Sequence, residues 1–354
     1  MSKAVFWAAA TSKFQEEQNM TVYHLVDDAG FGGVNRMLDH LAATIGNDEE
    51  KHDIVRIRRG QLSAPRLSDA KAVISHLSVC WRNMPLITAL RARYAATPLI
   101  HVEHSYSERF VAAQVKNRDR FETLVAAAYA LFDTVVAVSP QQGQWLGRKF
   151  VDPERLAIIS PCVDLDDFFA LPDPVKSGKT VIGALGRFDR QKGFDILIEG
   201  FVRSVRQDFE LHFYGSGAQE QQLKALAGND PRIVFHGYVE HPAAAMARCD
   251  MIAMPSRFEP YGLVALEAMA AGRPVIASSA DGLAGHIENG AIAVGDNTPD
   301  GWARFLNAFD VHAGLGDSGR GRACARRAGD RFLDGWLALL QALSGQSNRL
   351  QMAA

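Results

Sequence analysis

The sequence predicts an α/β protein of two Rossmann-like, doubly wound domains that face each other across a central cleft. Three observations carry this. Short apolar runs alternate with amphipathic helical patterns from Thr21 to about residue 139. The same alternation resumes at Thr180 and continues to about residue 278. Between them lies LPDPVKSGKT, with two prolines and little apolar content, which places a domain boundary near 171–179. Strand–helix alternation with short connections implies a parallel sheet covered on both faces.

In the first half the runs are TVYHLV (21–26), a Gly-rich turn, the helical GVNRMLDHLAATI, DIVRI (53–57), AVISHLS (72–78) and a helix near 85–94. PLIHVEH (98–104), one long helix near 107–131 and TVVAVS (134–139) follow. In the second half TVIGALG (180–186), FELHFYG (209–215), RIVFHG (232–237), DMIAMPS (250–256) and RPVIAS (273–278) read as strands. Helices near 194–205, 219–227, 242–248 and 261–271 separate them. A last helical pattern near 320–344 is expected to cross back onto the first domain. The expected division is an N-terminal extension (1–20), an acceptor-side domain (21–172), a nucleotide-sugar-binding domain (173–320) and a C-terminal helical segment (321–354).

Composition sets the class. The chain has 354 residues, 47% hydrophobic and 22% charged, enough apolar material for two cores of roughly 150–180 residues. A net charge of −2 gives no electrostatic reason to expect nucleic acid. The four scattered cysteines form no C-x-x-C pair, which disfavours a disulfide framework or zinc site and suits a reducing cytoplasm. No apolar run approaches the ~18–20 residues needed to span a bilayer, and the polar SKFQEEQN after AVFWAAA argues against export.

The chemistry concentrates in two segments. In RFEPYGLVALEAMAA, Glu259 and Glu267 stand eight residues apart, with Pro260 at the expected helix start. On a helix that spacing spans roughly 12 Å, so the carboxylates would grip two ends of one elongated ligand. N–H groups near Tyr261, Gly262 and Leu263 would offer an anion site at the helix N-terminus. Taken alone, the pair reads equally as a helix-start acid and a solvated charge. In GALGRFDRQKGFDILIEGF, Gly186 and Gly193 permit tight turns, and Arg187 and Lys192 are suited to phosphate oxygens, although taken alone an R-x-x-x-x-K segment reads first as a charged surface loop.

Together these motifs resemble the retaining family 4 glycosyltransferases of GT-B fold, which pair a G-R-…-K-G loop with an E-x(7)-E segment after a hydrophobic strand. The similarity covers roughly residues 21–295 and includes VFHGYVEHPAAAMARCDMIAMPS and DTVVAVSPQQGQWL. It implies that Arg187 and Lys192 hold the donor diphosphate, that Glu259 contacts the sugar and that Glu267 contacts ribose. It also implies that Gly32 and Gly33 form the loop approaching donor phosphates, and that His104 lies beside the transferred sugar. Glu259, His104, Arg187 and Lys192 are thereby the candidate catalytic residues. Gly32, Gly33, Gly186, Tyr261, Gly262, Leu263 and Glu267 join Arg187, Lys192 and Glu259 at the donor. The expected donor is a UDP- or GDP-sugar and the expected acceptor a glycan or lipid-linked molecule, in cell-envelope polysaccharide, lipopolysaccharide or glycolipid synthesis. The rival readings are a sugar-nucleotide epimerase, a sugar phosphorylase, or a non-catalytic scaffold.

Two departures stand out. Pro161-Cys162-Val163-Asp164 replaces the common N-G-V-D, and Asp281-Gly282-Leu283-Ala284-Gly285-His286 lacks the glutamate of the usual G-G-x-P-E loop. Asp164-Leu165-Asp166 reads as a structural turn at the domain junction, and no metal or cofactor is expected with Arg187 and Lys192 facing the diphosphate. Residues 54–120 hold ten arginines and two lysines against four acids. With Trp81 and Phe121 nearby, that balance makes an anionic membrane surface a candidate partner, peripheral to the inner face of the plasma membrane.

Overall fold

The computed structural model describes residues 21–27, 32–45, 51–174, 178–311 and 318–353; the expected extension at 1–20 lies outside them. Two six-stranded, wholly parallel sheets form the frame. The first has the order β2-β1-β3-β4-β5-β6, with β1 Thr21–Val26, β2 Lys51–Arg56, β3 Ala70–Ser75, β4 Leu99–Glu103, β5 Thr134–Ala137 and β6 Leu156–Ile158. The second runs β12-β11-β10-β7-β8-β9, with β7 Thr180–Leu185, β8 Phe209–Tyr214, β9 Ile233–Phe235, β10 Met251–Met254, β11 Val275–Ala277 and β12 Ile292–Ala293. Central strands such as β5 and β10 are buried along their whole length, which is why they read as near-continuous apolar runs, while β4, equally buried, carries His101 and Glu103.

Strand order reverses between β1 and β3 in one sheet and between β7 and β10 in the other. In open parallel sheets, loops leaving the carboxyl ends beside such a reversal form the ligand crevice. The segments after β1, β3, β4, β7 and β10 therefore matter most.

Two expected helices are each divided in two. The long helix near 107–131 is two helices, Glu108–Gln114 and Arg118–Tyr129. Val115 turns extended, and the Asn117 side chain accepts the Arg120 N–H, so a new helix N-cap replaces helix continuation. The C-terminal pattern is likewise two helices, Ser318–Arg326 and Ala328–Ala353. Phe332 of the latter stacks on His40 (6.3 Å) and Trp336 meets the His24 ring edge-on (6.1 Å), so this helix packs against the first sheet's side. One apolar cluster runs from Val22, Met37 and Val136 through Phe168, Phe332 and Trp336 to Met246, Leu266 and Val275. The two halves thus share buried surface.

Candidate functional site

The loop after β7 owes its shape to two glycines. Gly186 has φ +145° and Gly193 φ +66°, and a side chain at Gly193 would run into the Pro255 carbonyl. That close approach brings the β7 and β10 loops together. Asp189 accepts the Lys192 N–H and closes the turn. Arg257 then forks onto Asp195 (2.7 and 2.8 Å), pinning the second loop to the first.

Within this frame Lys192 Nζ donates to Glu259 Oε2 at 2.6 Å, and Ser256 Oγ donates to the same oxygen at 3.0 Å. Both side chains are mostly buried. Arg187 is left largely in solvent, 76% exposed and 3.5 Å from Asp189.

Glu259 does not lie on a helix, as its spacing from Glu267 suggested. The helix is Leu263–Ala270, and Gly262 precedes it at φ +98°. A side chain at Gly262 would stand 2.8 Å from Leu283 and 3.3 Å from Glu259 Cγ, so only glycine lets the chain bend there. The roughly 12 Å helical separation argued from the sequence therefore does not apply. Leu263 and Val264 supply first-turn N–H groups without an intrahelical acceptor, whereas Tyr261 lies before the turn and meets the His286 ring edge-on (4.8 Å).

Glu267 is fully buried rather than solvated. Arg36, from the helix Gly33–Ile45 of the other half, donates to its Oε1 at 2.5 Å, and its Oε2 has no partner among the described residues. Burial pushes this carboxyl above the usual range, with Arg36 opposing the shift. Sequence reasoning missed Arg36; its signal was a lone arginine in the first turn after Gly32-Gly33. A Cβ at Gly33 would sit 2.8 Å from Leu263 Cδ1, so the two segments are in close contact. The Gly-Gly turn and the Leu263 helix start therefore face each other.

Asp281 was likewise missed as a contact residue. It holds φ +46°, unusual for a non-glycine. Its Oδ2 accepts from Ser107 Oγ (2.8 Å) and the Glu259 N–H (3.2 Å), and its Oδ1 from the Arg109 N–H (3.3 Å). One carboxylate thus ties the segment after β4 to the loop bearing Glu259, and burial raises its pKa. Phe110 against Phe258 (5.3 Å) adds an aromatic contact across the same seam.

His104 directly follows β4, three residues before Ser107. Its Nε2 is 2.8 Å from His76 Nδ1, and burial lowers its pKa to about 4, so the ring is neutral. His101 and Glu103 share a face, as alternation suggested, and stand 3.4 Å apart. Burial alone would raise the Glu103 pKa, but His101, Tyr129 and the Tyr106 N–H hold it below the usual range. Asp164 Oδ1 accepts the Asp166 N–H, a local turn. Among the described residues no group of three or more His, Cys, Asp or Glu side chains converges as a metal site, and no helix is long and apolar enough to cross a membrane.

The basic surface is partly spent. Arg91 is bound to Asp133 (2.9 Å) and caps the Tyr94, Ala95 and Thr97 carbonyls, so this arginine of the basic stretch is paired locally. Lys116, Arg118 and Arg120 are exposed, as is Trp81 (48%), whose ring lies 5.7 Å from the Arg120 guanidinium.

Residues 73–167 match the family described as Glycosyltransferase Family 4, and residues 179–309 match Glycosyl transferases group 1. A D-inositol 3-phosphate glycosyltransferase from Xylanimonas cellulosilytica is 30% identical over 277 residues, covering 68% of this chain and 63% of the relative. The corresponding protein of an Arthrobacter species is 35% identical over 53% of this chain and 50% of its own. The chain thus spans between half and two thirds of the length of these curated relatives. Among solved structures, Anabaena Alr3699/HepE in complex with UDP aligns over 92% of this chain and 100% of its own, with TM-score 0.69 and 17% identity. Sucrose-phosphate synthase from Thermosynechococcus elongatus aligns over 95% and 100%, also with TM-score 0.69, at 18% identity. Both share the GT-B fold.

Proposed function

The chain belongs to the group 1, family 4 glycosyltransferases, and from that premise we propose that it transfers a sugar from a nucleotide-sugar to an acceptor hydroxyl with retention of anomeric configuration. The observation that carries the reading is the Lys192–Glu259 pair at the β7/β10 reversal, facing the Gly33 turn through Leu263. In the reaction the bond from the anomeric carbon to phosphate oxygen breaks, and its electron pair leaves with the diphosphate. The acceptor oxygen bonds to that carbon from the same face, and the hydroxyl proton passes to the departing phosphate. Lys192, Arg187 and the first-turn N–H groups of Leu263 and Val264 stabilise the charge growing on the diphosphate without a metal ion. Glu259 binds sugar hydroxyls and Glu267 the ribose.

A UDP-sugar is the favoured donor, since the aligned Anabaena protein was solved with UDP and glucose. The favoured acceptor carries phosphate. Relatives named for inositol 3-phosphate and mannosylfructose-phosphate support this, as does the exposed Lys116, Arg118 and Arg120 surface. A lipid-linked phosphate at an anionic membrane would present the same chemistry beside Trp81. A panel of UDP- and GDP-sugars, read by mass spectrometry against inositol phosphate, hexose phosphates and a lipid extract, tests the proposal. Transfer to a phosphorylated acceptor is the expected result. Nucleotide release without an acceptor product, or a product containing inorganic phosphate as the acceptor, would overturn it.

A further inference from the structure

Four histidines form a row across the first sheet. His52 lies on β2 and His24 on β1, while His76 and His104 directly follow β3 and β4, in the spatial order β2-β1-β3-β4. Consecutive rings are bonded at 2.9, 2.9 and 2.8 Å. Their centroids are 5.2, 5.2 and 5.1 Å apart, with interplanar angles of 28°, 23° and 25°. His52, His24 and His76 are all buried, and Trp336 closes over His24.

Every link has the same sense. His52 Nδ1 meets His24 Nε2, His24 Nδ1 meets His76 Nε2, and His76 Nδ1 meets His104 Nε2. Burial keeps His24, His76 and His104 neutral, with the pKa of His24 lowered to about 3, that of His104 to about 4, and that of His76 well below the usual value. A neutral imidazole carries one N–H and one lone pair. Each nitrogen–nitrogen contact needs one proton between the two atoms. If His24 carries its proton on Nδ1, His76 must accept on Nε2 and so carry its own on Nδ1. His104 is then bound to do the same, and His52 must donate to His24. The only other consistent arrangement puts every proton on Nε2. A mixed row sets two N–H groups, or two lone pairs, against each other away from water, which costs a buried hydrogen bond.

We propose that His52, His24 and His76 are positioning residues that lock His104 in one tautomer, fixing whether its Nδ1 donates to or accepts from the sugar hydroxyl bound in the cleft. A sugar hydroxyl does either, so the row decides which hydroxyl geometry the site accepts. This functional end rests on the reading of the cleft given above. The tautomer coupling stands on the geometry of the row alone.

The test is a long-range ¹H–¹⁵N correlation spectrum of the full chain labelled at histidine, at pH 7.5, which separates protonated from bare ring nitrogens. All four rings should show the same tautomer. In His24→Phe, which keeps a ring but breaks the row, His104 should become a mixture of both tautomers. Transfer should then fall about tenfold in kcat, with donor KM changed less than threefold. His24→Gln, whose amide both donates and accepts, should restore part of the loss. Should His24→Phe not fold, His76→Phe, which cuts the row beside His104, takes its place with the same expected outcome. Opposed tautomers within the row, or a His104 tautomer unchanged when the row is cut, would overturn the inference. Uniform tautomers in a chain that transfers no sugar would instead defeat only the proposed activity.

Discussion

Replacing Glu267 by glutamine separates the charge of this buried carboxylate from its shape. Glutamine keeps the volume and one carbonyl acceptor, so little repacking is needed beside Leu266 and Met269, and only the charge is lost. If Oε2, which has no partner among the described residues, receives a ribose hydroxyl, the bond changes from a charged to a neutral acceptor. Bonds to charged groups contribute about 1.5–3 kcal/mol and neutral ones about 0.5–1.5 kcal/mol. The difference, about 1–1.5 kcal/mol, corresponds to roughly a five- to twelvefold rise in Kd for UDP. Stability should respond differently. The Arg36 partner is about one-third exposed, so the attraction lost is partly screened, while the cost of burying a full charge disappears. Burial raises the Glu267 pKa, so the folded chain holds this proton more tightly than the unfolded one. Such a group lowers stability progressively as pH rises from the unfolded value, about 4.3, through the folded value. Glu267→Gln should therefore gain Tm relative to the parent at pH 7.5, and the gain should vanish near pH 4. Titration calorimetry with UDP and GDP, and thermal melts across that range, measure both. An unchanged Kd for both nucleotides would remove Glu267 from the ribose site, and a Tm gain largest at acid pH would refute the electrostatic account.

Three further outcomes follow from the same geometry. Glu259→Ala should lower transfer on the order of 10²–10³-fold, by analogy with single preorganised groups, while UDP affinity stays within tenfold and drifts, if anywhere, toward tighter binding as Lys192 loses its competitor; calorimetry alongside product assay checks it, and parallel collapse of both would place Glu259 at the wrong ligand end. Transfer should persist in excess EDTA, and loss restored by magnesium or manganese would contradict a diphosphate held by Lys192 and Arg187 alone. Co-sedimentation with anionic vesicles at low salt should exceed that with neutral vesicles, and reversing Lys116, Arg118 and Arg120 to glutamate should abolish the preference; equal binding to both lipids leaves the acceptor in solution.

The frame was legible because strand and helix alternate with short connections, and a parallel sheet buried on both faces writes each strand as an apolar run. The loops that carry Gly186, Lys192 and Glu259 were legible for a related reason: their glycines punctuate strand ends. What failed was local. Asn117 starts a new helix inside an apparently continuous pattern, and Gly262 at positive φ delays a helix that Pro260 seemed to open. The cross-cleft partners were out of reach for a different reason. Arg36 and Glu267 are 231 residues apart, and Ser107 and Asp281 are 174 apart. No periodicity relates such pairs; only the facing of the two sheets does. The histidine row was equally hidden: His104 stood out alone, and its link to His76, His24 and His52 follows only once the order β2-β1-β3-β4 is known.

The Lys192–Glu259 pair explains how so charged a site stays compact when no ligand is in it. Lys192 and Glu259 are both mostly buried, and a lone charge there would cost several kcal/mol. Paired, each satisfies the other, with Ser256 adding a second donor to the same oxygen. A free phosphate would take Lys192 and strand Glu259; a free sugar would take Glu259 and strand Lys192. A nucleotide-sugar carries an anionic diphosphate and a hydroxyl-bearing ring joined by one bond, so it replaces both partners at once. On the proposed assignment of Lys192 to the diphosphate and Glu259 to the sugar, the pair would favour the intact donor over either half. Once the bond is cut, the fragments would no longer compete as a unit, and the re-forming of the ion pair would assist their release.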